Sequence, residues 1–233
     1  MLTILMGKSA VGKDTVQREL LEEGFECVVT ATTRAMREGE EDGISYRFMN
    51  NEQFDKAIAK NEFVEHTEFN GVKYGCPKEA INLEKDMCIV LEPEGVQNFI
   101  NEFGRENLFV VSLELDENIR QQRAAARGSY SEESWQERVA SDNERFRENV
   151  VSDLANYRIN TQYMSVDEIA YDIVSALDAY DSYNKTPDEK YIVNREMIPC
   201  SYYEEPECNW KVYLQEDLKK NAGTGVRISW RSF

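Results

Sequence analysis

"MGKSAVGKDT", Met6 to Thr15, is the stretch whose reading decides the fold. Gly7, Gly12 and Lys13 meet the phosphate-loop spacing G-x-x-x-x-G-K. The residues before it, Leu2 to Met6, form a short apolar run consistent with a buried strand. Those after it put Val16, Leu20 and Leu21 on one helical face, with Gly24 as a stop. A loop between a strand and a helix N-terminus is the setting the motif requires. Backbone N–H groups around Gly7, Ala10, Val11 and Gly12 can cradle phosphates there, and Lys13 can reach the β- and γ-oxygens. One letter departs from the pattern: Asp14 stands where a hydroxyl is usual, and Thr15 follows one place late. A carboxylate at that position can hold a metal-bound water or cap the helix, and it brings negative charge near the phosphates. Asp14, acting through water, and Thr15 are the metal candidates.

Downstream, strand-like and helix-like segments alternate. "CVVTATTR", "MCIVLE", "NLFVVSLEL" and "YRIN" read as strands, and "NEQFDKAIAKNEFVE" as a helix running into a strand. "PEGVQNFINEF" and "DENIRQQRAAAR" read as helices, and "YSEESWQERVASDNERFRENVVSDL" as one long charged helix. Ser165 to Glu168 is a capping box opening the helix "IAYDIVSALDAY". This order predicts an α/β fold: a parallel sheet of the phosphate-loop NTPase type, flanked by helices. Near residue 181 the texture changes. "DSYNKTPDEK" is polar and turn-like, and "KYIVNREMI", "NWKVYLQEDL" and "GVRISWRSF" are rich in aromatic and β-branched residues. In the last of these Val226, Ile228 and Trp230 alternate with Arg227, Ser229 and Arg231, a half-buried strand pattern. Residues 1–180 are expected to form the main domain and 181–233 a small strand-rich C-terminal appendage.

Composition narrows the function classes. The 233 residues carry a net charge of -17, of which -16 falls in residues 1–180. Such acidity disfavours non-specific nucleic-acid binding and makes arginine positions informative for an anionic ligand. No apolar run is long enough to span a bilayer, and the opening "MLTILM" is too short for a signal-peptide core. Five cysteines (27, 76, 88, 200, 208) form no C-x-x-C, and a single histidine, His66, disfavours a structural zinc site. A cytoplasmic protein with reduced thiols is expected.

A second constellation, "TATTRAMREGEEDGISYRF", runs from Thr30 to Phe48. Thr32, Thr33, Arg34, Arg37, Gly39, Glu40, Gly43, Tyr46 and Phe48 make it resemble the acceptor region of the guanylate kinase family, nucleoside monophosphate kinases. The resemblance continues in "NEFVEHTEFNGVKYGCPKEAI" and in "RAAARGSYSEESWQER", which is similar to the family's lid. It covers about residues 1–180. It implies a monophosphate-binding subdomain at about 30–85 and a helical lid at about 120–145. It also implies ATP as co-substrate, Mg²⁺ as cofactor, and GMP or dGMP as acceptor. Arg34 and Arg37, with the Tyr46 and Tyr74 hydroxyls, would hold the acceptor phosphate, since arginine forks suit phosphate oxygens. Lys13 with Arg123, Arg127 and Arg138 would neutralise the transferring phosphoryl group. The resemblance puts Glu65 on guanine's two adjacent N–H donors, with Thr30 near the base. It places Asn160 beside the donor adenine. Arg120, Arg145 and Arg147 read as a solvated helix face, and His66 as a strand residue without a catalytic role.

Three positions depart from the family pattern. Asp14 replaces the loop hydroxyl, Cys76 stands for a Ser or Thr on the acceptor side, and Glu92 stands for an Asp. Cys76 and Glu92 are therefore counted with the acceptor residues while leaving open a kinase of another (deoxy)nucleoside monophosphate. A catalytically inactive, guanylate-kinase-like protein-binding module is the alternative of a different class. Such modules typically lose the phosphate loop, whereas Gly7, Gly12 and Lys13 persist here beside the lid arginines. A protein partner of the appendage is not identifiable from the sequence.

Overall fold

The structure, a computed structural model, describes residues 1–69, 71–126 and 130–184, and the strand backbone at 191–194, 211–214 and 226–227. In chain order, β1 is Leu2–Met6, α1 Lys13–Glu22, β2 Glu26–Cys27, β3 Ala31–Thr32 and β4 Arg47–Phe48. Helix α2 (Asn51–Ala59), strands β5 (Phe63–Phe69), β6 (Val72–Pro77) and β7 (Met87–Val90), and helix α3 (Pro93–Phe103) follow. Next come β8 (Leu108–Glu114), α4 (Glu117–Ala125), α5 (Glu132–Arg145), α6 (Glu148–Leu154), β9 (Tyr157–Asn160) and α7 (Val166–Asn184). Strands β10 (Tyr191–Asn194), β11 (Lys211–Leu214) and β12 (Val226–Arg227) lie in the tail.

The main sheet runs β2-β7-β1-β8-β9 in parallel, with β1 at its centre. A central parallel strand is covered on both faces, which explains why every residue of β1 is buried. Leu2, Ile4 and Met6 join a core with Val96 and Phe99 of α3 and Val151 and Leu154 of α6. Leu5 belongs to the opposite layer, with Val16 and Leu20 of α1 and Ile169, Ile173 and Leu177 of α7. The sheet is thus sandwiched by helices, and its carboxyl edge presents the loop between β1 and α1, where ligands of such sheets bind. Strand β10 adds in parallel beside β9, with β11 and β12 antiparallel beyond it. The side chains of the Val226–Trp230 pattern lie outside the described residues.

A second sheet, β4-β3-β6-β5, carries α2 on a small core of Ala31, Phe54, Ala57 and Phe63. Its strands run from Ala31 to Pro77. Gly75 is needed in its middle: an added methyl would come within 3.0 Å of both the Phe54 and Phe63 rings.

Three sequence expectations change. "CVVTATTR" is two strands in two sheets, because the chain leaves β7 after Val28 and pairs with β4 and β6 from Ala31 on. The long charged helix breaks at Phe146, whose ring is buried in the α3/α6 core; Arg147 then turns extended and opens α6. No glycine or proline marks that break, so packing alone sets it. Finally, α7 passes the boundary expected at 180 and continues to Asn184. The capping box at its start is present: Ser165 N–H donates to Glu168 Oε2 at 2.8 Å, and Glu168 N–H to Ser165 Oγ at 3.4 Å.

Candidate active site

The phosphate loop leaves β1 through Gly7, whose φ of 154° and packing both favour glycine; a Cβ there would sit 2.6 Å from the Leu113 carbonyl oxygen. Ala10 takes a left-handed φ of 61°, and Gly12 opens α1 at φ 112°. Lys13 bends back over the loop, donating to the Gly7 carbonyl at 2.6 Å and the Lys8 carbonyl at 3.3 Å. Burial lowers its pKa, and the nearby carboxylates of Asp14, Asp142 and Glu92 oppose that shift. Asp14 is exposed in the first turn of α1 and makes no side-chain cap, so of the two roles expected for it the capping one is absent. Its charge still favours the helix N-terminus. Thr15, next along, is half-buried.

Strands β3 to β6 and the loops between them carry the residues expected at the acceptor. Arg34 is clamped by Glu40 in a two-point pair, at 2.9 and 2.7 Å, and lies 5.3 Å over the Tyr46 ring and 5.7 Å over Phe48. Arg37 is exposed, but its backbone N–H also donates to Glu40, at 2.7 Å. The Arg34 guanidinium, then the Arg37 N–H, hold the Glu40 carboxyl down at about 2. Tyr46 and Tyr74 both act electrostatically on Arg34, so the two hydroxyl-bearing rings and the guanidinium share one corner. Glu40 is thus an orienting residue for Arg34 that the sequence motif contained but to which it gave no role.

Glu65, on β5, is directly opposite Cys76 of β6 and faces the first turn of α3. Its carboxyl pKa is raised, first by burial and then by the charges of Glu92 and Glu94. Gly95 of α3 makes room for it: a methyl there would collide with the Glu65 carboxylate. Gly95 is a second functional residue the sequence reading passed over. Its signal was a glycine inside a helix, where it costs about 1 kcal/mol relative to alanine. Cys76 is 1% exposed, and burial followed by Glu65 pushes its thiol up to about 12, so the thiol stays neutral. Thr30 lies half-buried between β2 and β3, its carbonyl accepting the Arg47 N–H at 2.8 Å. Glu92 sits at the start of α3, is exposed, and pairs with Arg145 of α5. The Glu92 charge acts on both Lys13 and Glu65.

The lid helices meet the loop directly. Arg123 of α4 donates to the Val11 carbonyl at 2.9 Å. Arg138 is exposed on α5, one turn before Asp142, and Arg127 lies outside the described residues. Arg120, expected on a solvated face, is instead 2% exposed. Asp142, Ser9, Glu117 and the Trp135 ring surround it. Arg145 and Arg147 are exposed as expected. Asn160, at the end of β9, is exposed and accepts the Gln162 N–H at 3.0 Å. His66 is exposed on β5. Cys27, Cys76 and Cys88 are free thiols.

No group of three or more acidic, cysteine or histidine side chains suited to a metal occurs among the described residues. The donor set fits an ion that arrives with nucleotide: Mg²⁺ is commonly held by one or two carboxylates plus substrate phosphates and waters. Asp14, exposed in the first turn of α1, is a carboxylate of that kind.

The chain joins a parallel sheet bearing a phosphate loop with Lys13 to a second sheet with an arginine-and-tyrosine corner, and comparison with known proteins makes its class that of a nucleoside monophosphate kinase. A family model described as guanylate kinase matches residues 1–172. The chain is 34% identical over 160 residues to a guanylate kinase of Symbiobacterium thermophilum, covering 66% of this chain and 75% of that protein. It is 36% identical over 144 residues to one of Prochlorococcus marinus, covering 59% and 78%. A crystal structure of guanylate kinase from Anaplasma phagocytophilum shares the fold, with a TM-score of 0.55 at 23% identity over 78% of this chain and 86% of that one. The chain belongs to the guanylate kinase family.

Proposed function

We propose that the chain transfers the γ-phosphoryl group of ATP to GMP or dGMP, giving the two diphosphates. The observation that carries this reading is the half-buried Glu65 carboxylate, opposite Cys76 and set against Gly95 at the first turn of α3. Guanine's Watson–Crick edge offers two adjacent N–H donors that one carboxylate can accept together. Adenine would turn a ring nitrogen acceptor toward the same oxygens and leave them unpaired, which sites of this kind reject strongly.

Phosphoryl transfer asks the protein mainly for position and charge. The loop's backbone N–H groups and Lys13 hold the donor phosphates, with Val11 and Gly12 forming the turn into α1. Arg34 and Arg37 hold the acceptor phosphate, with the Tyr46 and Tyr74 hydroxyls beside them. Glu40 fixes the guanidinium fork before substrate arrives, which saves ordering cost on binding. Thr30 and Cys76 border the base. Arg123 and Arg138, joined by Arg127, stabilise charge on the transferring group as the lid excludes water. Mg²⁺ bound with ATP supplies further neutralisation of the phosphates; Asp14, through water, and Thr15 would hold it. Asn160 borders the donor base. The test is ADP release from ATP with each common monophosphate. Turnover restricted to guanine acceptors supports the reading, and preference for another base overturns its acceptor half.

A further inference from the structure

The buried ion pair behind the phosphate loop has no role in the reading above. Arg120 of α4 and Asp142 of α5 pair at 3.3 Å, with side chains 2% and 10% exposed. Both close on one loop residue. The Ser9 N–H donates to Asp142 Oδ2 at 2.8 Å, the Ser9 hydroxyl pairs with Asp142 Oδ1 at 3.1 Å, and Arg120 donates to the Ser9 carbonyl at 3.1 Å. All three polar groups of Ser9 are therefore held from the lid side. The neighbouring Asn143 accepts from Lys8 Nζ at 2.8 Å, so consecutive lid residues grip consecutive loop residues.

Stability alone is a poor reason for such a pair. Desolvating two charges costs several kcal/mol, and apolar side chains of similar volume often do as well. The cost is visible: Arg120 Nε finds no hydrogen-bond partner among the described residues, and the guanidinium lies 5.5 Å from the Trp135 ring centroid. What an apolar pair would not supply is a fixed orientation for a backbone N–H and a carbonyl in the loop. A carboxylate next to a phosphate site is also electrostatically adverse unless a cation offsets it, and Arg120 does so. Asp142 further helps to keep Lys13 charged against its burial.

We propose that Asp142, backed by Arg120, is a positioning residue for the phosphate loop, acting through Ser9 to set the curve that presents loop N–H groups and Lys13 to the ATP phosphates. This rests on reading the loop as the ATP site. Asp142 touches no substrate. Its removal should loosen ATP without altering the acceptor pocket, which is built from a different sheet.

The test compares wild type, Asp142→Asn and the double variant Arg120→Leu/Asp142→Leu, by steady-state kinetics and by calorimetric titration of ATP in the absence of acceptor. Asp142→Asn should raise KM and Kd for ATP about tenfold or more, as loss of a charge-assisted hydrogen bond does, and leave KM for GMP unchanged. The double variant, free of an unpaired charge, should recover thermal stability yet keep the ATP defect. Parallel rises in KM for both nucleotides, or ATP binding restored together with stability, would overturn the proposal and leave a purely structural pair. Calorimetry keeps the two readings separate. Should the wild type phosphorylate no monophosphate, the kinase reading falls, and the ATP titration of the variants still decides the role of Asp142.

Discussion

In the proposed reading Lys13 serves the donor phosphates and Glu65 the guanine base, and burial shifts the pKa of both. Lys13→Ala should lower kcat by a factor on the order of 10² to 10³, the usual cost of removing one preorganised donor, while the circular dichroism spectrum stays native. For Glu65 the pKa shift gives a direction in pH. Its carboxyl titrates above the ordinary value, and only the ionised form can accept both guanine N–H donors. KM for GMP should therefore fall as pH rises through that raised pKa and level off above it, and Glu65→Gln should abolish this acid limb. The linkage to stability has the opposite sense: a carboxyl whose folded pKa is raised costs stability once pH exceeds its unfolded value, so Glu65→Gln should melt higher at neutral pH. Gly95→Ala should raise KM for GMP by roughly tenfold to 100-fold by pushing that carboxylate aside, with KM for ATP unmoved. Most of these residues could be read from sequence because short motifs fix them at constant spacing. Arg120 could not. An arginine in a charged helix looks solvated until the fold brings Asp142 and Ser9, 22 residues after it and 111 before it, to the same point.

At the scale of elements, the phosphate loop was legible because a strand, a glycine loop and a helix are all local. The break between α5 and α6 was not, since it is set by Phe146 entering a core made by distant elements. Phe146→Ala should cost roughly 3–5 kcal/mol in denaturant unfolding, the usual range for emptying a buried aromatic site. The contrast is the Glu92–Arg145 pair, which bridges α3 and α5 with side chains 60% and 52% exposed. Water screens it, so Arg145→Ala should change stability by less than about 1 kcal/mol. The divided "CVVTATTR" segment has the same lesson as Phe146: β propensity marks extended chain, but which sheet it joins depends on partners 42 to 61 residues away.

Over the whole molecule, the proposed chemistry divides between two sheets: the parallel one would carry the donor loop, and the smaller one the acceptor pocket. The chain carries a net charge of -17. Long-range repulsion from that charge should leave duplex DNA unbound at physiological salt, which fluorescence polarisation with a labelled duplex can check. No helix among the described residues is long and apolar enough to cross a membrane. The α/β class followed from alternating hydrophobic periods, whereas the sequence marks neither β4 nor β6 as a strand and presents α5 and α6 as one helix. The attachment of the tail strands to β9 did not, because strand pairing leaves little trace in composition. The most direct test of the guanine-specific kinase is ADP release from ATP and Mg²⁺ with GMP, dGMP, AMP, CMP, UMP and dTMP, run beside Lys13→Ala. Turnover with GMP and dGMP at least about 10²-fold above the other acceptors, lost in the variant, is the expected result. Equal or better turnover with another base, or none with any acceptor from folded protein, would contradict it.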